Sequence, residues 1–139
     1  MANHVNPTKD SFRKFRETPA TGPIHMLNLV KFRTKAAYED GHEASGAEAY
    51  AAYSTESGPI FRALGGHIIW SGDPEVMVIG PENGESWDIA FIAEYPDLEA
   101  FTAMIRDPEY QKAAKHRTAA VENSRLIRMT PKEAAEGFG

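Results

Sequence analysis

The sequence predicts an α+β fold: a ferredoxin-like βαββαβ core with an antiparallel sheet, both helices on one face, and an extra helix at the N-terminus. Three observations lead there. Four runs, "IHMLNLVKF" (24–32), "GHIIWSG" (66–72), "WDIAFIAEY" (87–95) and "SRLIRM" (124–129), have the length and the β-branched or aromatic content of strands. Helical patterns fall between the first and second runs and between the third and fourth, which is the order of the split βαβ motif. Several strands are apolar on both sides, so the sheet face left bare by the helices is expected to pack against a second copy about a two-fold axis.

Taken in order, "NPTKDSFRKFRETP" predicts a short helix. Asn6 or Thr8 can cap it, Phe12 and Phe15 share a face, and Pro19 stops it. "IHMLNLVKF" is apolar on both faces apart from Asn28, which predicts a central strand. "RTKAAYEDGHEASG" breaks the pattern and reads as a loop over the end of that strand. In "GAEAYAAYSTESGPIFRALGG" the residues Tyr50, Tyr53, Ser57, Ile60 and Leu64 recur at helical spacing. Pro59 should kink or restart that helix, and Gly65 suits a left-handed C-terminal cap.

"GHIIWSG" and "EVMVIG" both read as strand, either two short strands or one bulged strand, and "PENGES" reads as a turn. In "WDIAFIAEY", Trp87, Ile89, Phe91, Ala93 and Tyr95 alternate onto one side. "PDLEAFTAMIR" is a helix capped by Asp97, and "DPEYQKAAKHRTAAVE" a second with Asp107 as cap and Pro108 in its first turn. "SRLIRM" closes the sheet. The organisation is a single domain over 1–139: an N-terminal helical appendage (1–20), the ferredoxin-like core (24–130), and a polar tail (131–139) that is loose or docked on a partner.

Composition bounds the function. A chain of 139 residues buries roughly 68–70% of its extended surface, enough for a core without staples. It has no cysteine, which removes disulfides, thiolate metal sites and cysteine nucleophiles. A formal net charge of -5 disfavours nucleic acid as partner. Neither an apolar leader nor a run of membrane-spanning length appears, so a cytoplasmic location and no membrane partner are expected.

The phrases "MLNLVKF", "GAEAYAAY", the Gly65-Gly66 pair before a strand with Trp70, "WDIAFIAEYPD" and "DPEYQKAAKHRTAAVENSRLI" together resemble the domain of unknown function 1330 family, over roughly residues 24 to 130. That family lies in the dimeric α+β barrel superfamily. The resemblance implies a ferredoxin-like fold and a homodimer, but no reaction, because fold does not fix function. Relatives in the superfamily include cofactor-free monooxygenases, haem-degrading enzymes, lactone isomerases and ligand-binding regulatory domains. Their shared cleft lies between the sheet and the two helices.

Several groups fall near such a cleft. Asn28 is either a core amide satisfied internally or a cleft amide that steadies developing negative charge. Arg117 returns to the face of Tyr110 after seven residues, so it needs a partner: Asp88, Glu94, or the carboxylate of a substrate. His116 lies on the flank of that stripe and could move a proton near neutral pH. Tyr50 and Tyr53, one turn apart, and Trp70 and Trp87 on strands are either core or the walls of a pocket for an aromatic ligand. The loop residues Tyr38, Glu39, Asp40, His42 and Glu43 lack zinc spacing and read as a solvated lid, so no metal is expected.

In the haem-degrading relatives an axial histidine follows the aromatic of this helix by four positions. That position here is Ala114, which argues against haem, and no cofactor is expected. The expected function is therefore small-molecule binding, with cofactor-independent chemistry on a carbonyl- or carboxylate-bearing compound. In that scheme His116, Asn28 and Tyr53 act as catalytic groups, and Arg117, Tyr50, Trp70 and Trp87 hold the ligand. The alternative is a structural or interaction dimer whose polar interior groups satisfy one another.

Overall fold

A computed structural model describes residues 3–82 and 84–139. The elements run α1 (Lys9–Glu17), β1 (Ile24–Phe32), α2 (Gly46–Ala63), β2 (His67–Gly72), β3 (Ile89–Tyr95), α3 (Leu98–Arg106), α4 (Pro108–Ala120) and β4 (Val121–Met129). The sheet order is β2-β3-β1-β4, with every pair antiparallel. β1 is central, as its two-sided apolar character requires.

Local chemistry sets the helix ends. Thr8 and Ser11 form a reciprocal capping box at α1, and Ser45 and Glu48 do the same at α2. Asp97 caps α3, and Asp107 caps α4 with Pro108 in the first turn. α2 ends where Gly65 takes φ +86°, the left-handed conformation that glycine adopts without steric cost. Gly46 starts α2 against the Arg33 carbonyl, where an added Cβ would lie only 2.0 Å from that oxygen.

Three expectations are corrected. α2 continues through Pro59 as one helix and does not restart there. "EVMVIG" forms no strand: between β2 and β3 the described residues, 73–82 and 84–88, have no regular structure. Among the described residues the outer edge of β2 is open, and "EVMVIG" does not lie along it. Trp87 therefore precedes β3 and stands outside it.

Register divides the sheet residues between two faces. One face carries the rows Ile68–Ala93–Met26–Arg128, Ser71–Phe91–Asn28–Leu126 and Ile89–Val30–Ser124. This is the face beneath the helices, where Ile24, Met26, Val30, Ala93 and Tyr95 are buried. One core cluster joins Met26, Tyr95, Phe101, Met104 and Tyr110, and a second joins Val30, Ala49, Tyr50, Ala120 and Val121. The other face carries His67–Glu94–His25–Met129, Trp70–Ile92–Leu27–Ile127 and Gly72–Ala90–Leu29–Arg125, and among the described residues no helix or strand packs on it. α2 and α4 pack far more closely on each other than on the sheet, so space is left beneath them.

Candidate functional site

That space is part of a broad, open cavity of about 2100 Å³ that runs from beneath the helices along the N-terminal segment and reaches His67, Gly72, Arg125 and Ile127 at the margins of the sheet. Its floor is the inner sheet face with Met26, Asn28, Phe91 and Ala93, and its roof includes Tyr50, Tyr53 and Ser57 of α2 and Tyr110, Ala114 and Arg117 of α4. The segment from His4 to Thr18 supplies one wall.

A tyrosine cluster gives the cavity its main polar feature. The hydroxyls of Tyr53 and Tyr110 lie 2.8 Å apart, and the Tyr50 ring sits 5.3 Å from that of Tyr53. Burial pushes the hydroxyls of Tyr50, Tyr95 and Tyr110 above the ordinary tyrosine range, and the neighbouring Tyr53 pushes all three further. These phenols stay neutral, so they donate and accept hydrogen bonds and do not serve as phenolate bases.

Asn28 sits in the middle of the floor. Its Nδ2 donates to the Met26 carbonyl of its own strand at 3.0 Å. Its Oδ1 accepts no hydrogen bond from the described residues. The exposed capacity is thus largely that of an acceptor, which suits a ligand hydroxyl better than the oxyanion expected from sequence.

Arg117 lines the cavity but has neither expected carboxylate. Its Nη1 donates to the Val5 carbonyl at 2.6 Å, and its Nη2 reaches the Ser124 hydroxyl at 3.4 Å. Ser124 Oγ donates to the His4 carbonyl, and the His4 amide donates to Asn123 Oδ1. Asp88 accepts from the Phe32 amide, and Glu94 pairs with His25 and His67 on the opposite face of the sheet. Further along, Arg128 donates to the Phe15, Thr18 and Pro19 carbonyls, and its guanidinium stacks over the Phe15 ring. Two arginines therefore bind the N-terminal segment along the cavity wall.

His116 is corrected as a cleft residue. It does not line the cavity but lies on the outer side of α4, where Nδ1 is 2.6 Å from the Tyr38 hydroxyl and Nε2 is 2.7 Å from Glu56. A carboxylate only accepts, so Nε2 carries the proton and, in the neutral ring, Nδ1 accepts from Tyr38. The network ties the loop after β1 to α2 and α4. Trp70 and Trp87 are corrected in the same way. Trp70 belongs to the uncovered face by register, and Trp87 stacks under Arg125, 5.2 Å from its guanidinium carbon. For Trp70 the register shift between Ile68 and Trp70 is the physical reason: plain alternation would put Trp70 on the face of Ile68, and the extra residue there moves it to the other.

Of the residues singled out in the sequence, the cavity brings together Asn28, Tyr50, Tyr53 and Arg117, and it leaves out His116, Trp70 and Trp87. It adds Tyr110, Ser57 and the N-terminal wall. Tyr110 carried a signal, since it shares a helical stripe with Arg117; the wall carried none, because it is made by backbone carbonyls. Among the described residues no group of three or more His, Asp or Glu is placed to hold a metal ion, and no helix is long and apolar enough to cross a membrane.

Residues 42–130 match the family described as "Domain of unknown function (DUF1330)". The RPA0582 protein of unknown function from Rhodopseudomonas palustris is 56% identical; its structure aligns over 96% of this chain and 100% of its own with a TM-score of 0.91. A dabb family protein with a ferredoxin-like fold from Mesorhizobium loti is 19% identical over 81% of this chain and 100% of its own, TM-score 0.51. SnoaB, a cofactor-independent oxygenase from Streptomyces nogalater, is 14% identical over 84% of this chain and 100% of its own, TM-score 0.53. At those identities the last two speak for the fold alone. No curated protein matches the chain.

Proposed function

The chain belongs to the DUF1330 family, and from that premise we propose that it is a small-molecule-binding protein, working as a two-fold dimer with one ligand cavity per subunit. The observation that carries the reading is the cavity itself. It is walled mainly by apolar and aromatic groups, with a few polar atoms converging from the tyrosine pair, Asn28 and Arg117. The ligand class that fits is a compact, largely apolar compound with a hydroxyl or carbonyl at its edge. The ligand hydroxyl would meet Asn28 Oδ1, and its carbonyl would accept from the Tyr53–Tyr110 pair. Where a reaction follows binding, Tyr53 acts as a neutral hydrogen-bond donor to the ligand carbonyl.

Two features support the dimer. The bare sheet face carries Trp70, Ile92, Leu27 and Ile127 in one row, and the sheet covers only its other side with helices. Packing two such faces together removes both from water.

A second reading has a specific observation behind it. Arg117 is already occupied by Val5 and Ser124, as expected of a dimer without chemistry whose interior polar groups satisfy one another. A thermal-shift series against organic acids, lactones and phenols separates the two. Binding to the native state raises stability by RT ln(1 + [L]/Kd), about 2.7 kcal/mol at a hundredfold excess over Kd. Stabilising ligands whose effect shrinks in Asn28→Ala and Tyr53→Phe support the cavity reading. If no compound stabilises the protein, or if both variants respond like the parent, the interaction dimer is the better description.

A further inference from the structure

Residues 75–80, "EVMVIG", form an apolar arm that projects from the fold. Val76, Val78 and Ile79 are 79%, 86% and 92% exposed. No backbone hydrogen bond joins this segment to any described residue. The segment is rich in β-branched residues, which favour strands, and it makes no strand within its own chain. An exposed, unpaired apolar run of this kind is a template for association.

The arm is anchored so that it belongs to the uncovered side of the sheet. It leaves β2 after Gly72, and the chain returns through Glu85 and Trp87, both held by Arg125. Arg125 lies in the same uncovered row as Leu29. Both ends of the arm are thus fixed on the side of the sheet that carries Trp70 (52% exposed) and Ile127 (47% exposed).

The surface area is enough for a second copy of the chain as occupant. A compact monomer of 15.3 kDa exposes about 7,100 Å² by the scaling of surface with mass. This chain exposes 9408 Å². The exposed residues 132–139 take a share of that excess. The whole is roughly 2,300 Å², nearly three times the ~800 Å² that each partner gives to a standard interface. We infer that the arm of each subunit lies on the partner subunit of the same chain, extending the sheet-face contact into an exchange of arms. The inference rests on the dimer proposed above and adds a second, separable part to its interface.

The test is sedimentation equilibrium of the full chain and of two variants, Val78→Asp in the arm and Ile127→Asp on the sheet face. Val78 is 86% and Ile127 47% exposed within one subunit, and neither belongs to the buried core clusters. The arm exchange predicts a parent dimer and a dissociation constant raised at least about tenfold in Val78→Asp, the scale of one lost buried valine. It also predicts that amides 75–80 are protected from hydrogen exchange in the dimer, since the subunit alone offers them no partner. A parent protein that is monomeric overturns both the arm and the sheet-face contact. A dimer weakened by Ile127→Asp but not by Val78→Asp, with 75–80 exchanging freely, overturns the arm alone.

Discussion

Replacing Arg117 by methionine removes the guanidinium and keeps a side chain of similar length. Its partners are neutral: the Val5 carbonyl at 2.6 Å and the Ser124 hydroxyl at 3.4 Å. The change therefore strands no opposite charge, and the roughly 3–5 kcal/mol lost on breaking a buried ion pair does not apply. The second contact is too long to count for much. One hydrogen bond from a charged group contributes about 1.5–3 kcal/mol, and partial exposure of Arg117 places it at the lower end, about 1.5–2 kcal/mol. Unfolding entropy for 139 residues is near 0.3 kcal/mol/K, so Tm should fall by roughly 5–7 °C. Scanning calorimetry reads the fall, and hydrogen exchange at the His4 amide should quicken as the N-terminal wall loosens. An unchanged Tm with an unchanged His4 amide would refute the reasoning. A fall beyond roughly 10 °C would mean that an anion had been the true partner.

Two further outcomes follow from the core. Val30 is fully buried under the helices, so Val30→Ala should cost roughly 2–3 kcal/mol from the lost methyl groups and the void they leave, read by urea denaturation with an unchanged m-value. Four of the five tyrosines have hydroxyls raised above the ordinary range: Tyr38, partly buried and beside Glu56 and Asp40, and the buried Tyr50, Tyr95 and Tyr110. A raised folded pKa favours the protonated native state, so their contribution is complete below the ordinary tyrosine range and is lost as pH climbs above it. Tyrosinate absorbance should show the three buried ones, Tyr50, Tyr95 and Tyr110, ionising only together with loss of tertiary signal, and Tyr110→Phe should move that alkaline transition to higher pH; smooth ionisation of all five before unfolding would contradict the burial of those hydroxyls.

Much of the fold was legible because it rests on short-range rules. The caps Asp97 and Asp107, the stop at Gly65 and the alternation in β1 are each decided within a few residues of chain. The Ser45–Glu48 capping box was equally local and was overlooked, although serine three residues before glutamate is its ordinary signature. "EVMVIG" misled because propensity describes what a segment can pair as, not whether the chain path lays it along an open edge such as that of β2. In the site, helical periodicity placed Tyr50, Tyr53 and Arg117 on the inward stripe. It could not place His116 one step round the helix from Arg117, where about 100° of rotation turns the ring toward Glu56 and Tyr38. Nor could any spacing rule foresee Arg117 bonding to Val5, 112 positions away in the chain.

The way the N-terminal segment is fastened bears on how freely it can drift. Arg117, Ser124 and Arg128 address the carbonyl oxygens of residues 4, 5, 15, 18 and 19, which every amino acid carries. Spelling in that stretch is consequently cheap to rewrite, provided the backbone keeps its path and aromatic weight survives near Phe15. Mutational tolerance should be lopsided across the contact: broad along the fastened ribbon, narrow at Arg117, Asn123, Ser124 and Arg128, which fasten it.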